Sequence, residues 1–296
     1  MAGGKSVLVG DPRMPLADKE RFIRAFACAI RDLVEYIPGP DMGTDEPCMA
    51  LVRDEIGRAV GLPPVLGGIP LDAIGATGFG LVVAIEAALP HCGLALQGAR
   101  VAVQGFGAVG RHAARFLTEK GALLVAAADS SACLYDASGL DVADLCRHKL
   151  AGGSLADYAV SERRVPDAIV DVPCDIWIPA ARPDVLNGSN ATRLQAKLVA
   201  QGANIPATAE AEALLHAREI LVLPDFIANA GGVICAAIEY HGGTEAEAFA
   251  AIADKIGRNT REVLENAART RRLPRSAAVA MAEGRVRHAA AYRRWR

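Results

Sequence analysis

Gly105, Gly107 and Gly110 stand at G-x-G-x-x-G spacing directly after the apolar run V-A-V at 101–103. A strand ending in such a turn brings backbone N–H groups and a helix N-terminus up to a pyrophosphate. Gly105 permits the tight turn, Gly107 a close backbone approach, and Gly110 tight packing of the following helix on the sheet. Phe106, Ala108 and Val109 lie inside the same turn and join the glycines as candidate cofactor contacts. A second strand pattern, Leu123–Ala128, ends at Asp129, nineteen residues after Gly110. An acid at about 20 residues accepts from a ribose 2′-hydroxyl, and Ser130 follows it. Plainer readings stand beside these. The unit is a structural βαβ without nucleotide, and Asp129 is a turn residue at a strand end.

A lysine is the second candidate for chemistry. Of 32 Lys plus Arg only six are lysines: Lys5, Lys19, Lys120, Lys149, Lys197 and Lys255. Arginine stays protonated, whereas lysine titrates when it is withdrawn from water. Lys5 directly follows Gly3 and Gly4, and packing among glycine backbone would desolvate it. The plainer reading is a solvated lysine on a frayed terminus.

These residues need elements to hold them. Ser6–Gly10 reads as a short strand, Asp18–Tyr36 as a helix capped by Asp18, and Cys48–Val60 as a second helix. After the Gly/Pro-rich connection 61–75, a third helix runs from Thr77 to Leu89, where Pro90 is expected to end it. From Ala99 onward strand and helix patterns alternate. Strands are expected at Val101–Gly105, Leu123–Ala128, Ile169–Val172, Asp175–Pro179, Leu198–Ala200 and Ile220–Leu223. Helices are expected at Arg111–Lys120, Asp141–Leu150 and Thr208–Arg218, then Asn229–Tyr240, Thr244–Arg271 and Pro274–Arg293. Buried strands alternating with helices imply an α/β fold with a doubly wound, mostly parallel sheet and a smaller α/β domain before it. The expected division is 1–75, 76–235 for the dinucleotide-binding domain, and 236–296. The first part holds too little sheet to bury a core alone, so the C-terminal helices are expected to pack back on it.

Composition narrows the function classes. A net charge of −2 gives no electrostatic reason for nucleic acid or an anionic membrane. No apolar run reaches the length of a membrane span, and the seven cysteines form no C-x-x-C pair. The six dispersed histidines show no metal-ligand spacing. A reducing cytoplasm and a small-molecule substrate are the expectation.

The whole chain resembles the glutamate/leucine/phenylalanine/valine dehydrogenase family. The resemblance rests on A-G-G-K-S-V-L-V-G-D-P at the start, P-D-M-G-T at 40–44 and G-A-T-G-F-G at 75–80. Q-G-A-N at 201–204 and P-D-F-I-A-N-A-G-G-V at 224–233 complete it. It implies oxidative deamination of an L-amino acid to a 2-oxo acid and ammonia, with Lys5 and Asp41 as catalytic residues. Hydride leaves the amino acid Cα for nicotinamide, and the resulting iminium is hydrolysed through a carbinolamine. Lys5 would activate water and polarise the carbonyl, and Asp41 would shuttle protons to and from nitrogen. The cofactor carries the hydride, and the protein supplies position and electrostatics. Thr77 is implied near the nicotinamide carboxamide, Asn204 near the cofactor, and Asn229 at the substrate carboxylate or nicotinamide. Ala180 and Ala181 belong to the implied cofactor set. Read without the resemblance, Asp41 is a turn residue, Thr77 a cap, and Asn204 and Asn229 loop and cap residues.

Cofactor and substrate follow from the same positions. After Asp129 the chain reads S-S-A-C-L-Y-D, with no Arg or Lys for a 2′-phosphate, which favours NAD over NADP. Many glutamate-specific members carry a hydroxyl where this chain has Ala236, which leans toward an apolar amino acid. Y-D-A-S-G-L-D at 135–141 and L-V-A-Q-G-A-N lean toward glutamate, so both substrates stay open. The resemblance implies a homo-oligomer. It also implies a further N-terminal segment with several strands and a lysine for the substrate α-carboxylate, which has no counterpart before Lys5. The alternative to an active dehydrogenase is therefore a shortened dinucleotide-binding paralogue or partner subunit.

Overall fold

The computed structural model describes residues 4–11, 14–41 and 43–292. The chain forms two compact units, Met1–Ile74 with Gly232–Ala251, and Gly75–Gly231 with Ile252–Arg296.

The first unit is built on helices. Helix α1 (Leu16–Ala29) packs on α2 (Glu46–Ile56) through Ile23, Ala27, Cys48, Met49 and Val52. The expected continuation of α1 to Tyr36 does not form. The Arg58 guanidinium collects the carbonyls of Ile30, Arg31, Leu33 and Tyr36 at 2.8–3.1 Å, giving the freed helix-end acceptors a charged donor. Asp45 caps α2 by accepting from Cys48 N–H at 3.1 Å. Gly57, at φ 74°, ends α2 at Ile56 rather than Val60. A short helix, α3 (Leu71–Ile74), closes the N-terminal segment.

Ser6–Gly10 is not a strand. The described residues of this unit hold no strand for it to pair with, and Val7 and Val9 stay exposed. Alternation gives an extended backbone, but only a hydrogen-bonded neighbour makes it a ladder.

The second unit opens with α4 (Ala76–Cys92). Pro90 lies inside its last turn, where only one N–H is lost, and the stop is the left-handed Gly93. There follow β1 (Arg100–Gln104), α5 (Ala108–Glu119), β2 (Leu123–Ala128), β3 (Cys133–Tyr135), α6 (Val142–Leu150) and β4 (Glu162–Arg164). Next come β5 (Ile176–Pro179), β6 (Leu198–Ala200), α7 (Ala209–Ala217), β7 (Leu221–Leu223) and α8 (Asp225–Ala228). Helices α9 (Gly231–Tyr240), α10 (Glu245–Thr270) and α11 (Pro274–Ala290) end the described chain. Among the described residues the sheet has seven strands in the order β4-β3-β2-β1-β5-β6-β7. The stretch β2-β1-β5-β6-β7 is parallel, and β3 and β4 extend it antiparallel.

Ile169–Val172, expected as a strand, instead ends a 3-10 helix over Pro166–Asp171, with Val172 as its C-cap. Its apolar residues pack beneath the fully buried Trp177, whose indole N–H donates to Ile169 O at 3.1 Å. A short apolar run does not distinguish strand from buried turn of helix. Of the segment 236–296, the part up to Ala251 belongs with the first unit. From Ile252 the helices belong with the sheet, where Val263, Ala267, Ala277 and Ala278 enclose Ile227. In the first unit, the Glu239 carboxylate of α9 accepts from Leu62 N–H and Ile69 N–H, each at 3.1 Å. That buried carboxylate fixes the long Gly/Pro connection before α3.

Candidate active site

The turn after β1 is shaped by sterics that only glycine meets. Gly105 sits at φ 96°, its N–H donating to Ala128 O at 2.7 Å. A Cβ there would lie 2.7 Å from the backbone of Ala180 and Ala181. At Gly110 a Cβ would overlap the Gly105 carbonyl oxygen, so α5 packs directly on its own turn. Gly107, the N-cap of α5, differs: a Cβ there would meet nothing within 4 Å. No side chain caps α5, so its first N–H groups and positive dipole end face open space at Gly107. This is the cradle a pyrophosphate requires, and its residues fit a dinucleotide. Phe106 is 1% exposed, so its ring belongs to the core and only its backbone can meet a ligand.

The ends of β1, β5 and β6 meet beside this turn. Ala180 N–H donates to Gln104 O at 2.6 Å, and Gly202 and Ala203 N–H donate to Pro179 O at 2.9 Å. A Cβ on Gly202 would lie 3.3 Å from both Ala180 and Val109. The strand order reverses between β1 and β5, the switch point where ligands of open α/β sheets bind. Asn229 lies at the end of α8, and its amide donates to Asn204 Oδ1 at 2.8 Å and Gly202 O at 3.3 Å. Two asparagines from separate motifs therefore meet. Thr77 is the second residue of α4 and does not cap it. Gly78 in the same motif lets α4 approach α5, since a Cβ there would lie 2.8 Å from Ala113 N.

At the end of β2, Asp129 is partnered on both oxygens. Oδ1 accepts from Ser131 N–H at 2.8 Å and Ser131 Oγ at 2.5 Å. Oδ2 accepts from Lys149 Nζ at 2.8 Å, with side-chain exposures of 16% for Asp129 and 21% for Lys149. Burial pushes the Asp129 carboxyl up, but the hydrogen bonds from Lys149 and Ser131 outweigh it and hold the group at about 2. Ser130 is exposed and gives Asp129 no bond; Ser131 does. No cation follows Asp129 directly in the sequence, yet α6 returns Lys149 to it. The scarcity of lysine was the only available signal.

In the first unit, Lys5 Nζ forms an ion pair with Asp41. Asp41 also occupies a turn: Thr44 N–H donates to its carbonyl at 2.8 Å, and its own N–H donates to Thr44 Oγ at 2.9 Å. The turn reading and the pairing with Lys5 are compatible, since backbone makes one and side chain the other. The desolvation expected of Lys5 is absent: its side chain is 70% exposed and that of Asp41 is 49% exposed. Gly4 lies against the Tyr36 ring, 3.1 Å from an added Cβ. Met1–Gly3 of the opening motif lie outside the described residues. Ala236 lies half-buried on α9.

A doubly wound sheet with a glycine turn after its first strand and an acid at the end of its second has the architecture of dinucleotide-binding α/β domains. Residues 67–294, more than half of the chain, match the model of the Glutamate/Leucine/Phenylalanine/Valine dehydrogenase family, and the chain belongs to that family. It is 36% identical over 281 residues to a glutamate dehydrogenase of Aeropyrum pernix, covering 88% of this chain and 67% of that one. It is 36% identical over 251 residues to glutamate dehydrogenase B of Halobacterium salinarum, covering 80% and 58%. The hetero-hexameric glutamate dehydrogenase from Thermus thermophilus in its Leu-bound form superposes with a TM-score of 0.84 at 29% identity. That match covers 95% of this chain and 71% of that chain. The chain thus spans between about three fifths and seven tenths of these relatives' lengths. Among the described residues no helix is long and apolar enough to cross a membrane.

Proposed function

We propose that this chain catalyses the reversible NAD-dependent oxidative deamination of an L-amino acid to a 2-oxo acid and ammonia. The pairing of Lys5 with Asp41 carries the reading, because two separate motifs supply one ammonium and one carboxylate in contact. A bound nicotinamide cofactor would supply the acceptor for the hydride of the substrate Cα. The protein's part is proton transfer and orientation. The Lys5–Asp41 pair takes the proton from the water that attacks the iminium carbon, and the Lys5 ammonium polarises the product carbonyl. Asp41 takes and returns the proton on nitrogen. Thr77, Asn204 and Asn229 would hold the carboxamide end of a bound dinucleotide, and the α5 N-terminus its pyrophosphate.

Ala236 offers no hydrogen bond to a distal carboxylate, which favours an apolar amino acid. The purified chain is expected to form NADH with leucine, valine or phenylalanine at a higher kcat/KM than with glutamate. A glutamate preference would overturn the role given to Ala236. No turnover with any of the four, together with measured NAD binding, would leave the non-catalytic paralogue as the better reading.

Asp129 as acceptor for the ribose 2′-hydroxyl favours NAD. Lys149, however, cancels its charge at 2.8 Å, so repulsion of a 2′-phosphate is muted and discrimination against NADP is expected to be weak. Lys149→Met bares the acid. It is expected to raise the ratio of NADP to NAD dissociation constants by at least about tenfold, about 1.4 kcal/mol. An unchanged ratio in fluorescence titrations would remove Lys149 from cofactor selection.

A further inference from the structure

We infer that Arg275, from the C-terminal helix α11, is a positioning residue that sets the Asn204–Asn229 pair; its effect on cofactor rests on the function proposed above. The side chain reaches three acceptor side chains at once. Its Nε donates to Glu212 Oε1 and Oε2 at 2.8 and 2.9 Å, Nη1 to Asp225 Oδ1 at 2.9 Å, and Nη2 to Gln201 Oε1 at 2.8 Å. Both carboxylates are buried, at 4% exposure for Glu212 and 8% for Asp225, and Gln201 is fully buried. Without the guanidinium two carboxylates would lie together out of water with no cation, a costly arrangement. Gln201 closes the network, donating to Glu212 Oε1 at 2.9 Å and accepting from Asp225 N–H at 3.1 Å.

Gln201 opens Q-G-A-N, and Asp225 opens D-F-I-A-N. One arginine therefore ties the first residue of each asparagine-bearing segment. The link to the asparagines is short. Asp225 Oδ2 accepts from Ile205 N–H at 2.7 Å, and the Asp225 carbonyl accepts from Asn229 N–H at 2.7 Å. Ile205 follows Asn204 directly and sits at φ 50°. A β-branched residue in the left-handed region is strained and persists only where its surroundings hold it. Asp225 Oδ2 holds it, and Arg275 holds Asp225 through Oδ1. The guanidinium's planar fork spreads its donors over three side chains; a lysine brings the charge, but its three donors sit on one nitrogen.

The test compares wild type, Arg275→Lys and Glu212→Gln by amide hydrogen exchange at Ile205 and by NADH titration. Arg275→Lys is expected to speed Ile205 exchange and weaken NADH binding, each at least about tenfold. Glu212→Gln leaves the Arg275–Asp225–Ile205 chain whole and is expected to change neither by more than about twofold. In an Asn204→Ala background, Arg275→Lys is expected to add no further loss of affinity, because both act through one group. Unchanged Ile205 exchange in Arg275→Lys would overturn the inference. So would equal losses in Glu212→Gln, which would make the network a general support. Should Arg275→Lys not fold, Asp225→Asn serves, since its single carbonyl oxygen replaces two acceptors. Failure of wild type to bind dinucleotide would instead overturn the proposed function, while Ile205 exchange still reads the positioning link.

Discussion

Replacing Lys5 by methionine is expected to lower amino acid turnover by about 10²- to 10⁴-fold, the range for loss of a general acid–base group. NADH affinity is expected to stay within about twofold of wild type. The separation follows from the fold. Lys5 and its partner Asp41 belong to the unit Met1–Ile74, whereas the glycine turn, Asp129, Asn204 and Asn229 all belong to Gly75–Gly231. Lys5→Arg preserves the ion pair with Asp41 but cannot release a proton near neutral pH. It is expected to be as inactive as the methionine variant. Arginine retaining more than a tenth of the wild-type turnover would show that position 5 supplies only charge. Lys5→Met within tenfold of wild type would remove it from the chemistry.

The second large effect distinguishes two glycines of one motif. Gly110→Ala places a methyl group inside the Gly105 carbonyl oxygen and 2.9 Å from Val103 Cγ1. Neither neighbour can swing aside, so α5 must retreat from β1 and take its N-terminus with it. Loss of NADH affinity by at least about 100-fold is expected, about 2.7 kcal/mol. A fall in stability of roughly 1–3 kcal/mol, typical of overpacking, should accompany it in denaturant titrations. Gly107→Ala meets no protein atom within 4 Å. Its stability is expected to hold while its affinity falls, because the methyl group fills only the space the ligand backbone approaches. Wild-type NADH affinity in Gly107→Ala would refute the cradle assignment.

What could be read in the sequence was what is decided within a few residues. The strand Leu123–Ala128 lies where its apolar run places it, and Asp141 and Thr208 cap α6 and α7 through Asp144 N–H and Ala211 N–H. The glycine turn was legible because its steric demands are local. Strands β3 and β4, of three residues each, were not, since so short a run carries no periodicity and exists only by pairing, β3 with β2 and β4 with β3. Nor were the partners of Asp129 and Asp225. Lys149 and Arg275 reach them across 20 and 50 residues, and nothing in local spacing marks which cation returns to which acid. Lys5 shows the opposite error. Its neighbours in sequence suggested seclusion from water, whereas exposure depends on what packs above it.

The antiparallel extension of the sheet has a bearing on how copies of this chain can meet. On that side the last strand is Glu162, Arg163 and Arg164, with Arg164 stacked over the Tyr135 ring and bonded to Glu162. A neighbour adding its own β4 there antiparallel would set Arg163 against Arg163 and strip these charged side chains of solvent. Fibril-like growth by strand addition is thereby discouraged at that border of the sheet.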